Sequence, residues 1–160
     1  MQLRTYRERD FDRLLKLTID VFGPFYEDSF RSIVGDAIFV HQHGNWRDDY
    51  RKELNGLHDP DHGKHVIVAE SDERIIGFVA WTINHEKRHG HVEFVAVEDE
   101  QRRHGVASAL CQHAFDAMCQ AGMEVVEIGT GGDRFHAPAR ALYARLGMTP
   151  LPVTVYFKEL

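Results

Sequence analysis

The chain is poor in cysteine and proline and has no surplus of positive charge. Its only cysteines, Cys111 and Cys119, fall on one stretch of helical pattern. Eight helical residues hold their Cα atoms about 12 Å apart, too far for a disulfide between them. Both read as reduced, structural thiols. Five prolines among 160 residues leave no proline-rich linker. Lys and Arg total 19 against 25 Asp and Glu, a net charge of −6. A nucleic-acid binder would show a basic domain, so that class is excluded. No apolar run reaches the length of a membrane span. The segment Met1–Arg7 lacks the apolar stretch of a secretory signal, so the cytoplasm is the expected compartment and no membrane partner is expected. Repeats and low-complexity tracts are also absent.

What is present is the composition of a globular protein with a core, 43% hydrophobic and 28% charged. The length predicts one domain over residues 1–160. Leu3 to Tyr6 reads as a strand. Asp10 is the expected N-cap of a helix to Phe22, with Phe11, Leu14, Leu15, Thr18 and Phe22 inward. Gly23-Pro24 is expected to end it. The segment 23–62 is rich in aromatics, Asp and His, and predicts helices around Glu27–Phe39 and Trp46–Leu54. His65–Glu70 and Arg74–Asn84 read as a hairpin about Ser71-Asp72-Glu73, and His91–Val97 as a further strand. A helix follows from about Val106 to Ala121, with Gly122 ending it. Glu124–Gly129 reads as a strand, Thr130–Arg134 as a loop, and Ala137–Leu146 as a helix with Pro138 in its tolerated first turn. Val153–Lys158 reads as a last strand. An antiparallel meander thus runs into a βαβ unit.

The most informative stretch joins the strand ending at Val97 to the helix opening at Val106. The turn between them carries Arg102-x-x-Gly105-x-Ala107. A strand–turn–helix of this kind gathers free backbone N–H groups at the positive end of a helix dipole, a setting for a pyrophosphate. Gly105 has no Cβ to block a ligand's approach. These residues resemble the acetyl-CoA pyrophosphate loop of the GNAT superfamily of N-acetyltransferases, Gln/Arg-x-x-Gly-x-Gly/Ala. Ala139-x-x-Leu142-Tyr143-x-x-Leu146-Gly147 resembles that family's second signature. The resemblance covers the chain from about His65 onward.

The resemblance implies an α/β fold: a mixed, mostly antiparallel central sheet of six to seven strands with helices on both faces. It implies acetyl-CoA as co-substrate, held by Val95, Ala96 and Val97 on the strand His91–Val97, which a bulge would splay from the next strand to free N–H and C=O groups, and by Arg102, Arg103, His104, Gly105, Val106, Ala107 and Ser108 on the turn. A backbone N–H near Val97 is the expected oxyanion donor. Many members carry an Asn three residues before the Ala of the second signature; His136 stands there, able to keep the cofactor contact or to serve the acceptor. Tyr143 matches the residue whose phenol approaches the coenzyme sulfur. Glu93, a lone carboxylate in an apolar strand, is the candidate base; simple alternation puts it on the face of Val95 and Val97. The acceptor is expected to meet the variable segment 23–62 and the loop after the fifth strand, with Phe25, Tyr26, Trp46 and Asp133 as contacts and Glu27, Asp28, Asp48 and Asp49 drawing a cation.

The expected activity is acetyl transfer to a primary amine of a small molecule in a ternary complex. A protein N-terminal or lysine acetyltransferase and a CoA-binding sensor without catalysis stay open, as does a homodimer. Eleven histidines raise a metal site, above all His58, His62 and His65 with Asp59 and Asp61. Their spacing matches no tight zinc site; no metal is expected.

Overall fold

The computed structural model describes residues 1–160. Five strands, β1 Gln2–Thr5, β2 Lys64–Ser71, β3 Arg74–Asn84, β4 His89–Val97 and β5 Val125–Ile128, form one sheet in the order β1-β2-β3-β4-β5. The first three junctions are antiparallel, and β4–β5 is parallel. The crossover between β4 and β5 is α5, Val106–Gln120. Before β2 come α1 (Phe11–Pro24), α2 (Arg31–Val34), α3 (Asp36–His43) and α4 (Trp46–Leu54); α6 (Ala137–Arg145) follows β5. No helix is long and apolar enough to cross a membrane.

Helices cover both faces, so β2 and β3 are apolar almost without alternation. Val66, Val68, Phe78, Ala80 and Ala96 join Leu14, Leu17 and Val21 of α1 and Leu54 of α4 in one core. Ile67, Val79, Trp81, Val92 and Val97 join Val106, Leu110, Ala114 and Met118 of α5 in the other. Arg4 of β1 ties the sheet edge to the first helical turn. It reaches Asp10 at 2.7 Å and Glu70 of β2 at 2.7 Å.

Three expectations are corrected. The sheet has five strands, not six to seven, because Val153–Lys158 pairs with nothing. Asp10 makes no side-chain cap to α1; a 3-10 turn, Glu8–Asp10, precedes the helix, and the carboxylate instead accepts the Arg7 N–H at 2.8 Å. Gly23-Pro24 ends α1 as expected, but the chain does not leave its helical path there. The chain continues as a π-helical turn, Phe25–Phe30. A proline removes one donor and crowds the carbonyl four residues back, and widening the next turn absorbs this without breaking the helix. Finally, Gly35, at φ +86°, splits the expected helix 27–39 between α2 and α3.

Candidate active site

The centre of the site is a register change in β4. Ala80 opposes Phe94 and Trp81 opposes Val92, which leaves Glu93 as an unopposed bulge residue. On the other side, β5 pairs with β4 only from His89 to Val92. From Glu93 to Val97 the two strands are therefore splayed. The Glu98 N–H donates to Ile76 O at 2.9 Å. By antiparallel alternation Ala96 and Phe94 then bond β3, while Val95 and Val97 turn their N–H and C=O groups toward the gap that β5 leaves. Of the three strand residues expected at the cofactor, Val95 and Val97 open their main chain to this gap, and Ala96 faces β3 with its side chain buried in the α1 core.

The bulge also moves Glu93. Val92 and Val95 both join the α5 core, an odd spacing that only an inserted residue permits, and Phe94 packs on the opposite face. Glu93 is exposed and close enough to α4 for its charge to act on Glu53. It does not share the face of Val95 and Val97; it stands toward the acceptor segment.

Past β4 the chain is clamped. Glu98 accepts from Arg74 at 2.5 Å and from Arg13 of α1. Burial opposes its charge, but the two guanidiniums hold the carboxyl below the ordinary range. The 3-10 turn Asp99–Gln101 and two left-handed residues, Arg103 (φ +64°) and Gly105 (φ +81°), then lead into α5. The N–H groups of Arg103, His104 and Gly105 have no partner in the protein. The first helical bond of α5 runs from Ala109 to Gly105 O at 2.9 Å, so Val106, Ala107 and Ser108 also lack intrahelical acceptors. Six consecutive residues thus present N–H groups at one helix N-terminus. A Cβ on Gly105 would meet nothing within 4 Å, so the space before the turn is open. Arg103 and His104 are exposed, while Arg102 pairs with Asp99 at 2.7 Å. The chemistry of this set fits a diphosphate.

Tyr143 sits on α6, half-buried. Burial, and then the Cys111 thiol on α5, push its phenol well above the usual tyrosine range. It makes no hydrogen bond, and no buried side-chain polar atom lacks a partner; its hydroxyl is therefore accessible to solvent. Cys111 itself is buried, and that burial pushes its thiol up to about 11. The His136 ring opens α6. Its Nδ1 meets Asp133 Oδ2 at 2.6 Å, and by the same reasoning its unbonded Nε2 is accessible. Asp133 is only slightly exposed, which opposes its charge. The His136 contact, with N–H groups of His136 and Phe135, outweighs this and holds the carboxyl low. Arg140 braces the loop, donating to the carbonyls of Gly131 and Asp133 at 2.6 and 2.7 Å.

Phe25 of the acceptor segment packs on the His136 ring at 4.6 Å and on Phe135 at 5.7 Å. Tyr26 follows. It stacks on Trp46 at 5.0 Å and its hydroxyl lies 3.0 Å from that of Tyr50. Tyr26, Trp46 and Tyr50 wall a cleft of about 370 Å³ together with His43, Asp49 and Glu53. Partial burial, then Asp49 and Glu93, push the Glu53 carboxyl up. Glu27 is not free to draw a cation, because it already accepts from Trp46 Nε1 at 3.0 Å and Arg47 at 3.1 Å. Asp28 and Asp48 are exposed, and Asp48 does not line the cleft. Glu53, Glu98, Arg13 and Arg74 were not singled out by sequence. Glu53 was within reach of it, lying one helical turn after Asp49 on a predicted helix.

A strand bulge and splay thus end at an N–H-rich turn, and the bulge residue stands beside an aromatic, acidic cleft. The chain belongs to the acetyltransferase (GNAT) family, whose model matches residues 25–148. Among curated proteins none matches the sequence. Solved structures share the fold. Aminoglycoside antibiotic 6′-N-acetyltransferase AAC(6′)-IG from Acinetobacter haemolyticus is 18% identical with a TM-score of 0.67, over 100% of this chain and 99% of that one. A GNAT-family acetyltransferase from Staphylococcus aureus is 12% identical at 0.70, over 91% and 82%. A transcriptional regulator from Bacillus halodurans is 20% identical at 0.65, over 98% and 99%.

Proposed function

We propose that residues 1–160 act as one domain that moves an acetyl group from acetyl-CoA to a primary amine of a small molecule, by direct transfer in a ternary complex. The observation that carries this reading is the meeting of two features: six unengaged N–H groups from Arg103 to Ser108, and unpaired main chain at Val95 and Val97 where β4 and β5 part. The turn would hold the coenzyme diphosphate, with Arg103 and His104 at its rim and Arg102 released from Asp99. Main chain at Val95 and Val97 would hold the arm, and His136 Nε2, with Nδ1–H donated to Asp133, would accept from an amide N–H of that arm. When bound, acetyl-CoA supplies an activated thioester.

The chain's own residues meet the other demands. An alkyl ammonium has a pKa near that of Lys, about 10.4, so it must lose a proton before it reacts. Glu93 takes that proton directly or through one water, from the acceptor side of the bulge. Asp49, Glu53 and Glu93 attract and orient the cation against the wall of Tyr26 and Tyr50, while Phe25 fixes the loop of Asp133 and His136. The Val97 N–H, free where β4 and β5 part, would donate to the carbonyl oxygen as negative charge develops on it. Tyr143, held protonated by its burial, donates to the departing thiolate.

Calorimetric titration with acetyl-CoA, followed by thiol-release assays over small amines and lysine peptides, tests this. One-to-one binding abolished by Gly105→Glu, with turnover of a small amine, is expected. Turnover of peptides alone would make the protein reading correct. Binding with no turnover would leave a coenzyme sensor, and absence of binding would remove the whole proposal.

A further inference from the structure

A second cavity, of about 450 Å³, opens where the end of β1, the start of α1 and the end of α4 meet. It shares no lining residue with the acceptor cleft. Tyr6 and Phe11, with Leu54 and Leu57, give it an apolar floor continuous with the α1 core. Glu8, Asn55 and His58 complete the wall. The Glu8 carboxylate and the Asn55 amide are exposed and have no hydrogen-bond or ion-pair partner in the protein. His58 is held more firmly. Its Nδ1 accepts the Val66 N–H at 3.0 Å, and its ring meets the Tyr6 ring at 5.6 Å. A nitrogen that accepts carries no proton, so the neutral ring keeps its proton on Nε2. Burial pushes the imidazole below its ordinary range, against the pull of Asp59, and so favours that neutral form. This Nε2–H bonds nothing within the protein; since no buried side-chain polar atom lacks a partner, the donor is accessible.

The cavity thus offers a fixed donor at His58, an acceptor at Glu8 and both at Asn55, over an apolar floor. The Glu8 charge disfavours an anion. A purely apolar ligand would desolvate His58 Nε2–H and Glu8 without giving them partners. A flat ring bearing an amide satisfies both, its carbonyl accepting from His58 and its N–H groups donating to Glu8, with the ring against Tyr6 and Phe11. We propose that this cavity is a second binding site, taking a neutral aromatic carboxamide or a heterocycle with the same donor–acceptor edge, and that its occupancy is felt in the acceptor cleft. The effect travels along α4. Leu54 ends that helix in the second cavity, while Trp46, Asp49, Tyr50 and Glu53 of the same helix line the cleft. Leu54 and Trp46 are 4% and 2% exposed, and a helix so closely packed at both ends transmits a displacement. Binding here stands apart from the acetyl-transfer reading, because it needs neither coenzyme nor acceptor.

The test is an amide NMR titration of the full chain with benzamide, and with benzoate as its anionic counterpart. Benzamide is expected to shift the signals of Tyr6, Glu8 and residues 55–58 along one saturating curve, with those of residues 49–53 following the same curve. Benzoate should bind about tenfold more weakly, since it cannot donate to Glu8. Glu8→Ala combined with Asn55→Ala, both at exposed positions, should raise the benzamide Kd about tenfold and leave circular dichroism and melting unchanged. The absence of a saturable shift overturns the site, as do shifts centred on Tyr26 and His43. Equal affinity for benzoate, or for the double variant, overturns the ligand chemistry assigned to it. Shifts that stop at Leu54 and leave residues 49–53 in place overturn the coupling through α4.

Discussion

Glu93 shows how much one inserted residue decides. Strict alternation puts its carboxylate over the α5 side of β4; the bulge delivers it to the acceptor side, near Glu53. Glu93→Gln should lower kcat/KM for an amine about 100-fold at neutral pH with acetyl-CoA affinity intact. The deficit should shrink as pH rises and free amine accumulates. An equal rate for both enzymes at every pH would remove Glu93 as the base. Tyr143 makes a milder claim. A thiolate can leave without help, so Tyr143→Phe should cost about tenfold in kcat with melting unchanged; full activity would make the phenol a packing residue.

At the scale of elements, the site depends on clamps outside it. Arg4 and Asp10 fasten β1 to the start of the first helices, and Asp10 is 5% exposed. Burial opposes the Asp10 charge, but hydrogen bonds from Arg4 and the Arg7 N–H hold its carboxyl below the usual range. A carboxyl lowered by folding stabilises the native state above its unfolded pKa, about 3.9, and that contribution is lost as pH falls through the folded value. Asp10→Asn should therefore cost about 2 kcal/mol at pH 7. Its difference from wild type in urea melts should narrow in strong acid, and a difference independent of pH would contradict the linkage. Glu98, held by Arg13 and Arg74, plays the matching part at the end of β4, where it sets the direction of the turn into α5.

Across the whole molecule, local signals were legible and long-range pairings were not. The order of strands and helices from β2 to α6 follows from periodicity, and the turn at Gly105 from its glycine and the apolar run behind it. Phe25, Tyr26 and Trp46 were legible as an aromatic group in a helical segment, but not the chain of rings linking them to His136. The family resemblance implies a bulge and splay in His91–Val97, but no local pattern puts it at Glu93, because register is a property of two strands. The Asp133–His136 bond depends on a loop conformation, and nothing local marks Glu98 as the anchor of two arginines. The π-helical turn after Pro24 keeps the chain helical past a breaker, which the residue types there do not signal. Val153–Lys158 has strand character without a strand partner in its own chain, which no local pattern reveals.

The account rests on main-chain amides gripping a diphosphate, and backbone amide NMR during an acetyl-CoA titration addresses them one by one. The N–H signals of Arg103–Ser108, with those of Val95 and Val97, should shift together along one saturating curve. Gly105→Glu should erase that curve while the fold persists. Coenzyme binding that moves other amides and leaves these eight in place would contradict it.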